Sequence, residues 1–138
     1  MRIVVTGGAG FIGGNLVHAM LGGGADITVI DDLSTGSMDN VHPATTFRRL
    51  DVRTPEAAEA IVAARPDAIV HLAAQVSVAA SIQDPAFDHS VNVDGTRAVA
   101  EAAVAAGARR LLFASSAAVY GAPHELPRPE ESPAAPVV

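Results

Sequence analysis

No cysteine occurs anywhere in the 138 residues. Disulfide staples, thiolate metal sites, iron-sulfur ligation and cysteine nucleophiles are therefore excluded, and the fold must rest on packing. Lysine is absent too, all 9 basic residues being arginine, so a phosphate-gripping Gly-Lys-Ser/Thr loop cannot form. There is 1 tyrosine, Tyr120, which leaves a single phenol for any acid-base chemistry. The 15 acidic residues outnumber the basic ones and give a net charge of -6. No basic stripe exists to neutralise a row of phosphates, and nucleic acid is not an expected partner. No apolar run reaches the roughly 18 residues of a spanning helix; the longest candidate, around Ala68 to Ala80, is broken by His71, Gln75 and Ser77. Met1 to Thr6 meets Gly7 too soon for a secretion signal. A membrane partner is not expected, and the expected location is the cytoplasm.

What is present is a chain 49% hydrophobic and 17% charged, enough for one core and one domain. Arg2 to Thr6 is apolar without alternation, the pattern of a parallel strand covered on both faces. Glycines follow; then Phe11 to Leu21 carries Ile12, Leu16, Ala19 and Met20 near helical spacing and stops at Gly22 to Gly24. Ala25 to Ile30 reads as a second strand closed by Asp31 and Asp32. Leu33 to Ala44 reads as a loop with at most a short helical turn, and Phe47 to Leu50 as a weak third strand. Thr54 caps, and Pro55 opens, a helix that continues from Glu56 to Ala64 before Pro66 stops it. Ala68 to Leu72 is a fourth strand, Ala86 to Ala106 one long alanine-rich helix, and Arg109 to Ala114 a fifth strand. This alternation predicts an α/β fold, a doubly wound parallel sheet of the Rossmann type, with a ligand crevice beyond the carboxyl ends of its strands. The proline-rich stretch from Gly121 to Val138 is expected to be surface loop. Because the complete fold has about six strands, the sheet is expected to be incomplete and the chain to be the front part of a longer one.

Between the first strand and helix, Gly8, Gly10 and Gly13 stand in G-x-G-x-x-G spacing, overlapped by Gly7, Gly10 and Gly13 in the T-G-x-x-G-x-x-G pattern. Such a turn needs backbone angles and approaches that side chains forbid, and it aims the unpaired N-H groups of a helix N-terminus at an anion such as a pyrophosphate. An ordinary strand-to-helix turn is the competing reading. Asp31, about 20 residues further on at the end of the second strand, is placed to accept hydrogen bonds from both adenosine-ribose hydroxyls and to repel a 2'-phosphate. No Arg or Lys lies between Arg2 and Arg48, so NAD is expected over NADP; a solvated turn acid is the alternative for Asp31, and more so for Asp32.

Asp51 follows the third strand and can accept the adenine amino hydrogen bond, or be a solvated loop acid. His71 closes the fourth strand beside Leu72, Ala73 and Ala74, small enough for a nicotinamide ribose to lie against backbone, though a packing role is the commoner one. Ser115 and Ser116 end the fifth strand, where a hydroxyl can meet a substrate oxygen or simply cap a turn. His18, His42, His89 and His124 have no partners at metal-ligand spacing, and no metal is expected. G-x-S-x-G is missing, which argues against hydrolase chemistry.

Six segments together resemble the extended short-chain dehydrogenase/reductase family, in particular its NAD-dependent epimerases of nucleotide sugars, the UDP-glucose 4-epimerase type. They are V-T-G-G-A-G-F-I-G (5–13), D-D-L-S-T-G (31–36), D-V-R (51–53), H-L-A-A-Q (71–75), N-V-D-G-T (92–96) and S-S-A-A-V-Y-G (115–121). The resemblance implies that Gly7, Gly10, Phe11, Ile12 and Gly13 surround the pyrophosphate of NAD. It puts Asp31 on the ribose, with Asp32 where such proteins commonly have asparagine. Ser34, Thr35 and Gly36 would line the adenosine side, and Asp51 and Val52 would flank adenine. Leu72, Ala73, Ala74 and Gln75 would line the middle of the cofactor, with Ser115 beside it, while Asn92 helps to order the active centre. Ser116 matches the catalytic serine or threonine; Tyr120 belongs to the V-Y-G segment and is not the catalytic tyrosine.

That family works with a Y-x-x-x-K pair, and none is present in these residues. The resemblance therefore implies that residues 1–138 are an NAD-binding domain that stops before the pair and before the substrate-binding region, inactive alone. The whole protein is expected to epimerise a UDP-hexose at C4 by transient hydride transfer, as a homodimer. Dehydratases of the family carry Asp-Glu where Ala117 and Ala118 stand, which disfavours dehydration. A non-catalytic dinucleotide-binding module, a truncated remnant, and a nucleotide-sugar dehydratase or reductase are the alternatives.

Overall fold

Ile3, Val4 and Val5 are all buried, and this is why the first strand shows no polar alternation: alternate residues serve two different cores. The computed structural model describes residues 1–121, 127 and 129–136. Its strands β1 (Arg2–Thr6), β2 (Asp26–Asp31), β3 (Thr46–Arg49), β4 (Ala68–His71) and β5 (Arg110–Phe113) form a single parallel sheet in the order β3-β2-β1-β4-β5. On one face α1 (Phe11–Gly22) seats Val17 among Ile3, Val5, Ile27, Val29 and Val70. On the other, α2 (Pro55–Ala64) and α5 (Thr96–Ala105) bring Ile61, Val99, Ala102 and Ala103 onto Val4, Ile30 and Ile69. The expected doubly wound sheet is thus observed, its chain running outward from β1 to β3 and then crossing to β4 on β1's other side. Strand order reverses between β1 and β4, and a crevice opens at that switch point.

Helix α2 begins as its sequence dictates: Thr54 Oγ1 accepts the Ala57 N-H at 3.3 Å and Pro55 occupies the first turn. The loop after β2 holds one 3-10 turn, Met38–Asn40, capped by Ser37. Two expectations need correction. The helix foreseen over Ala86 to Ala106 is α4 (Pro85–His89), a π-helical turn (Ser90–Gly95) and then α5. The widened turn presses on the neighbouring loop, where a Cβ at Gly95 would stand 3.1 Å from Val52 Cγ2. A further helix, α3 (Val78–Gln83), occupies a stretch given no element above; Ser77 caps it, and Asp84 caps α4 by accepting the Phe87 N-H at 2.9 Å. Strand ends shift slightly, β3 closing at Arg49 rather than Leu50 and β5 at Phe113 rather than Ala114.

After β5 comes a 3-10 turn, Ala117–Tyr120. Of the proline-rich stretch, Pro127 and residues 129–136 carry no helix or strand, and His124 and Arg128 lie outside the described residues. All of β5 is exposed, with Leu112 at 60% and Phe113 at 57%. Among the described residues no helix is long and apolar enough to cross a membrane.

Candidate functional site

The chain leaves β1 through Gly7 at φ 72, pressed so closely on the segment that follows β4 that a Cβ would lie 2.6 Å from Ala73 N and 2.7 Å from the Leu72 carbonyl carbon. A Cβ at Gly13 would strike the Gly7 carbonyl oxygen, whereas one at Gly10 would meet only that oxygen, at 3.3 Å. Gly10 therefore presents its open side to the crevice and caps α1 without a side chain. The N-H groups of the first helical turn are left without intrahelical partners. Phe11 and Ile12, 84% and 67% exposed, form the rim.

Asp31 is 8% exposed. Its Oδ2 accepts the Ala9 N-H at 3.0 Å and its Oδ1 the Leu33 N-H at 2.9 Å. The carboxylate thus ties the glycine turn to the end of β2, and each oxygen retains a lone pair for a ligand. This is a built-in acid, not a solvated one. Asp32 is exposed; its Oδ1 accepts the Ser34 N-H at 2.8 Å, and its carbonyl accepts Arg49 Nε-H at 3.3 Å. Arg49 is the last residue of β3 and pairs in register with Asp31. A cation does stand near Asp31 and Asp32, and the expectation from sequence distance that none would is corrected on that point.

Asp51 is not a free acceptor. Arg53 donates to both its oxygens, Nε lying 3.0 Å from each, and the guanidinium hydrogen bond holds the carboxyl below the usual range against the opposing effect of burial. The same arginine donates to Ser90 Oγ at 2.7 Å and lies 5.1 Å from the centre of the Phe87 ring. Arg53 escaped the sequence reading because its partners Ser90 and Phe87 are remote in the chain.

At the end of β4, His71 is 2% exposed, and burial pushes its imidazole below the ordinary value. Nδ1 lies 2.6 Å from Thr6 Oγ1 and Nε2 3.0 Å from Thr96 Oγ1. Beyond it, Asn92 grips Gln75 through the backbone: Oδ1 accepts the Gln75 N-H at 2.9 Å, and Nδ2 donates to the Gln75 carbonyl at 3.0 Å. Asp88 Oδ1 accepts from the side chains of both. Ser116 Oγ accepts the Ala118 N-H at 3.2 Å, and Ser115 and Ser116 are both exposed.

Two adjoining cavities, of about 400 and 550 Å³, make up the cleft. The first is lined by Gly7, Gly10, Phe11, Ile12 and Gly13, and by the acids Asp31, Asp32 and Asp51. Ser34, Thr35, Gly36 and Val52 complete that end. Leu72, Ala73, Ala74 and Ser115 are common to both cavities, and Gln75, Asn92 and Ser116 belong to the second. Of the glycines in the turn, Gly8 packs against Val29 and lines neither cavity; the other residues singled out for the cofactor or the chemistry border the cleft. Leu50 and Ala114 border it unforeseen; their signal was their position just after a strand. Among the described residues, no cluster of three metal-ligating side chains occurs.

The sequence model of the NAD dependent epimerase/dehydratase family matches residues 3–138. The chain belongs to this family. Among curated family members it is 42% identical over 142 aligned residues to the UDP-glucose 4-epimerase of Mycolicibacterium smegmatis, covering 99% of this chain and 45% of that one. The crystal structure of the Thermus thermophilus UDP-glucose 4-epimerase in complex with NAD superposes with a TM-score of 0.87 at 40% identity, over 99% of this chain and 45% of that one. The Thermotoga maritima UDP-glucose 4-epimerase with UDP-glucose gives 0.86 at 35% identity, with the same coverage. This family member thus spans somewhat under half the length of the relatives it matches.

Proposed function

We propose that the whole protein is an NAD-dependent epimerase acting at C4 of a UDP-hexose, and that residues 1–138 form its cofactor-holding part. The observation that carries this reading is the single cleft running from the Asp31 carboxylate, past the uncapped N-terminus of α1, to the Ser116 hydroxyl. Its parts fit a dinucleotide. Glycine clears the space a diphosphate needs, unpaired N-H groups face that space, and a buried carboxylate with spare lone pairs stands at one end. When bound, NAD supplies a reversible hydride acceptor.

In this reading Asp31 takes the ribose hydroxyls, and Asp51, held by Arg53, meets adenine beside Val52. The small residues Leu72, Ala73 and Ala74 let the nicotinamide half lie against backbone, and Ser116 offers its hydroxyl proton to the sugar. No lysine occurs in the sequence, so the tyrosine-lysine pair implied by the family resemblance is assigned to a remainder of the protein, as are sugar recognition and a homodimer contact. Ala117 and Ala118 offer no carboxylic acid to expel a leaving group, which favours epimerisation over dehydration. A cytoplasmic location belongs to the same reading.

The test is incubation of the whole protein with NAD and UDP-glucose, followed by chromatography. UDP-galactose is the expected product. Loss of water from the sugar would replace the reading with a dehydratase, and tight NAD binding with no conversion would leave a dinucleotide-binding module.

A further inference from the structure

The hydrogen bonds around His71 have a direction that the donors dictate. Thr96 spends its hydroxyl proton on the Asn92 carbonyl at 2.7 Å. The 3.0 Å contact between Thr96 Oγ1 and His71 Nε2 therefore has the imidazole as donor. A neutral imidazole carries one N-H, so Nδ1 is bare and accepts the Thr6 hydroxyl at 2.6 Å. Thr6 Oγ1 in turn accepts the Ala73 N-H at 3.4 Å. One ring thereby joins three segments that frame the cleft. Thr6 immediately precedes Gly7, His71 precedes the Leu72 to Gln75 shelf, and Thr96 follows the π-helical turn from which Asn92 holds Gln75. Phe113 of β5 stacks on the remaining side, ring centres 6.0 Å apart.

We propose that His71 is a positioning residue: as the neutral Nε2-H tautomer it sets the height of the Leu72 to Gln75 shelf, on which the nicotinamide half of the cofactor rests. The proposal deepens the NAD reading above and rests on it. A second proton would place an N-H against Thr6 Oγ1, force the Thr6 proton to turn away inside a fully buried site, and put a charge where water does not reach. No counter-charge offsets it. The elements packed about the ring bring Thr6, Phe113, Thr96 and Asn92, and Asp88, which shares that cavity wall, spends Oδ1 on Gln75 and Asn92. Burial alone, with no charged neighbour, displaces the imidazole downward, in keeping with a ring that stays neutral. Protonation therefore loosens the shelf but not the adenosine end, which hangs on Asp31.

The test compares two ligands on the whole protein, NAD and ADP-ribose, the second lacking nicotinamide, by calorimetry over the histidine window of about pH 8 to 5. NAD affinity is expected to fall by about tenfold per pH unit below the pKa of the ring, while ADP-ribose affinity holds. His71→Gln is expected to abolish the acid-dependent loss. Thr96→Val, which removes the acceptor, weakens NAD relative to ADP-ribose, and Thr96→Ser restores it. Histidine nitrogen shifts in the labelled protein report the tautomer without any variant, and Nε2-H is expected. Parallel pH profiles for the two ligands, or an Nδ1-H or charged ring near neutral pH, overturn the proposal alone. Failure of both ligands to bind at any pH overturns the cofactor reading and this proposal with it.

Discussion

Asp31 holds the glycine turn and, in the proposed function, offers the ribose an acceptor with the same two oxygens, so that its charge would serve both purposes. Asp31→Asn keeps one acceptor and loses the charge. Direct titration should then show NAD binding weakened by roughly 1.5–3 kcal/mol, the range for hydrogen bonds to charged groups. NADP should gain relative to NAD, since Arg49 is already nearby. Gly13→Ala drives a methyl group into the Gly7 carbonyl. A drop in the urea midpoint worth about 1–3 kcal/mol is expected from such overpacking, together with loss of NAD binding. The glycines and Asp31 were legible because their work is local: their neighbours in space follow from strand-turn-helix geometry. Arg53 was not, because the residues that define its task, Ser90 and Phe87, meet it only once α4 docks.

Among the elements, those whose ends are written in capping residues were read closely. Thr54 and Pro55 announced α2, and Thr54→Ala is expected to lower stability by about 1 kcal/mol in chemical unfolding; because Thr54 Oγ1 also donates to the carbonyl of the cleft residue Asp51 at 2.8 Å, some loss of NAD affinity in direct titration is expected with it. The π-helical turn was invisible to periodicity, since Val91, Val99, Ala102 and Ala106 suit a continuous helix well enough. What distinguishes it is the buried Gly95 beneath Val52 and the inward grip of Asn92 on Gln75. Helix α3 went unread because it is only 6 residues long and its large apolar residues, Val78 and Ile82, are both 74% exposed, so no apolar stripe turned to a core marks it.

For the molecule as a whole, acid sensitivity follows from His71. Its folded pKa lies below the unfolded value of about 6.5, so the unfolded chain takes up the proton first. The stability due to the neutral ring is complete above about 6.5 and declines as pH falls toward the folded pKa. Urea midpoints measured from neutral to mildly acidic pH should show this decline, and His71→Gln should flatten it. The exposed β5 edge gives a second expectation: Leu112→Glu should reduce self-association of the 138-residue chain in sedimentation, because an uncovered apolar edge strand recruits other chains. The doubly wound parallel sheet and its incompleteness followed from the alternation of strands and helices, whereas the order β3-β2-β1-β4-β5 and the choice of β5 as the bare strand were not read from it.

The tight packing of Gly7 on Leu72 and Ala73 has a kinetic corollary. The opening turn looks self-contained, yet its shape is imposed by a strand far along the chain; Thr6 and His71, which flank that junction, are 65 positions apart. Until β4 arrives, the loop is held only from the β2 side, by the Ile30 carbonyl and the Asp31 carboxylate. Distant closures of this sort form slowly, so pulse-labelled hydrogen exchange during refolding should find the amides of residues 7–10 protected no earlier than those of 68–71.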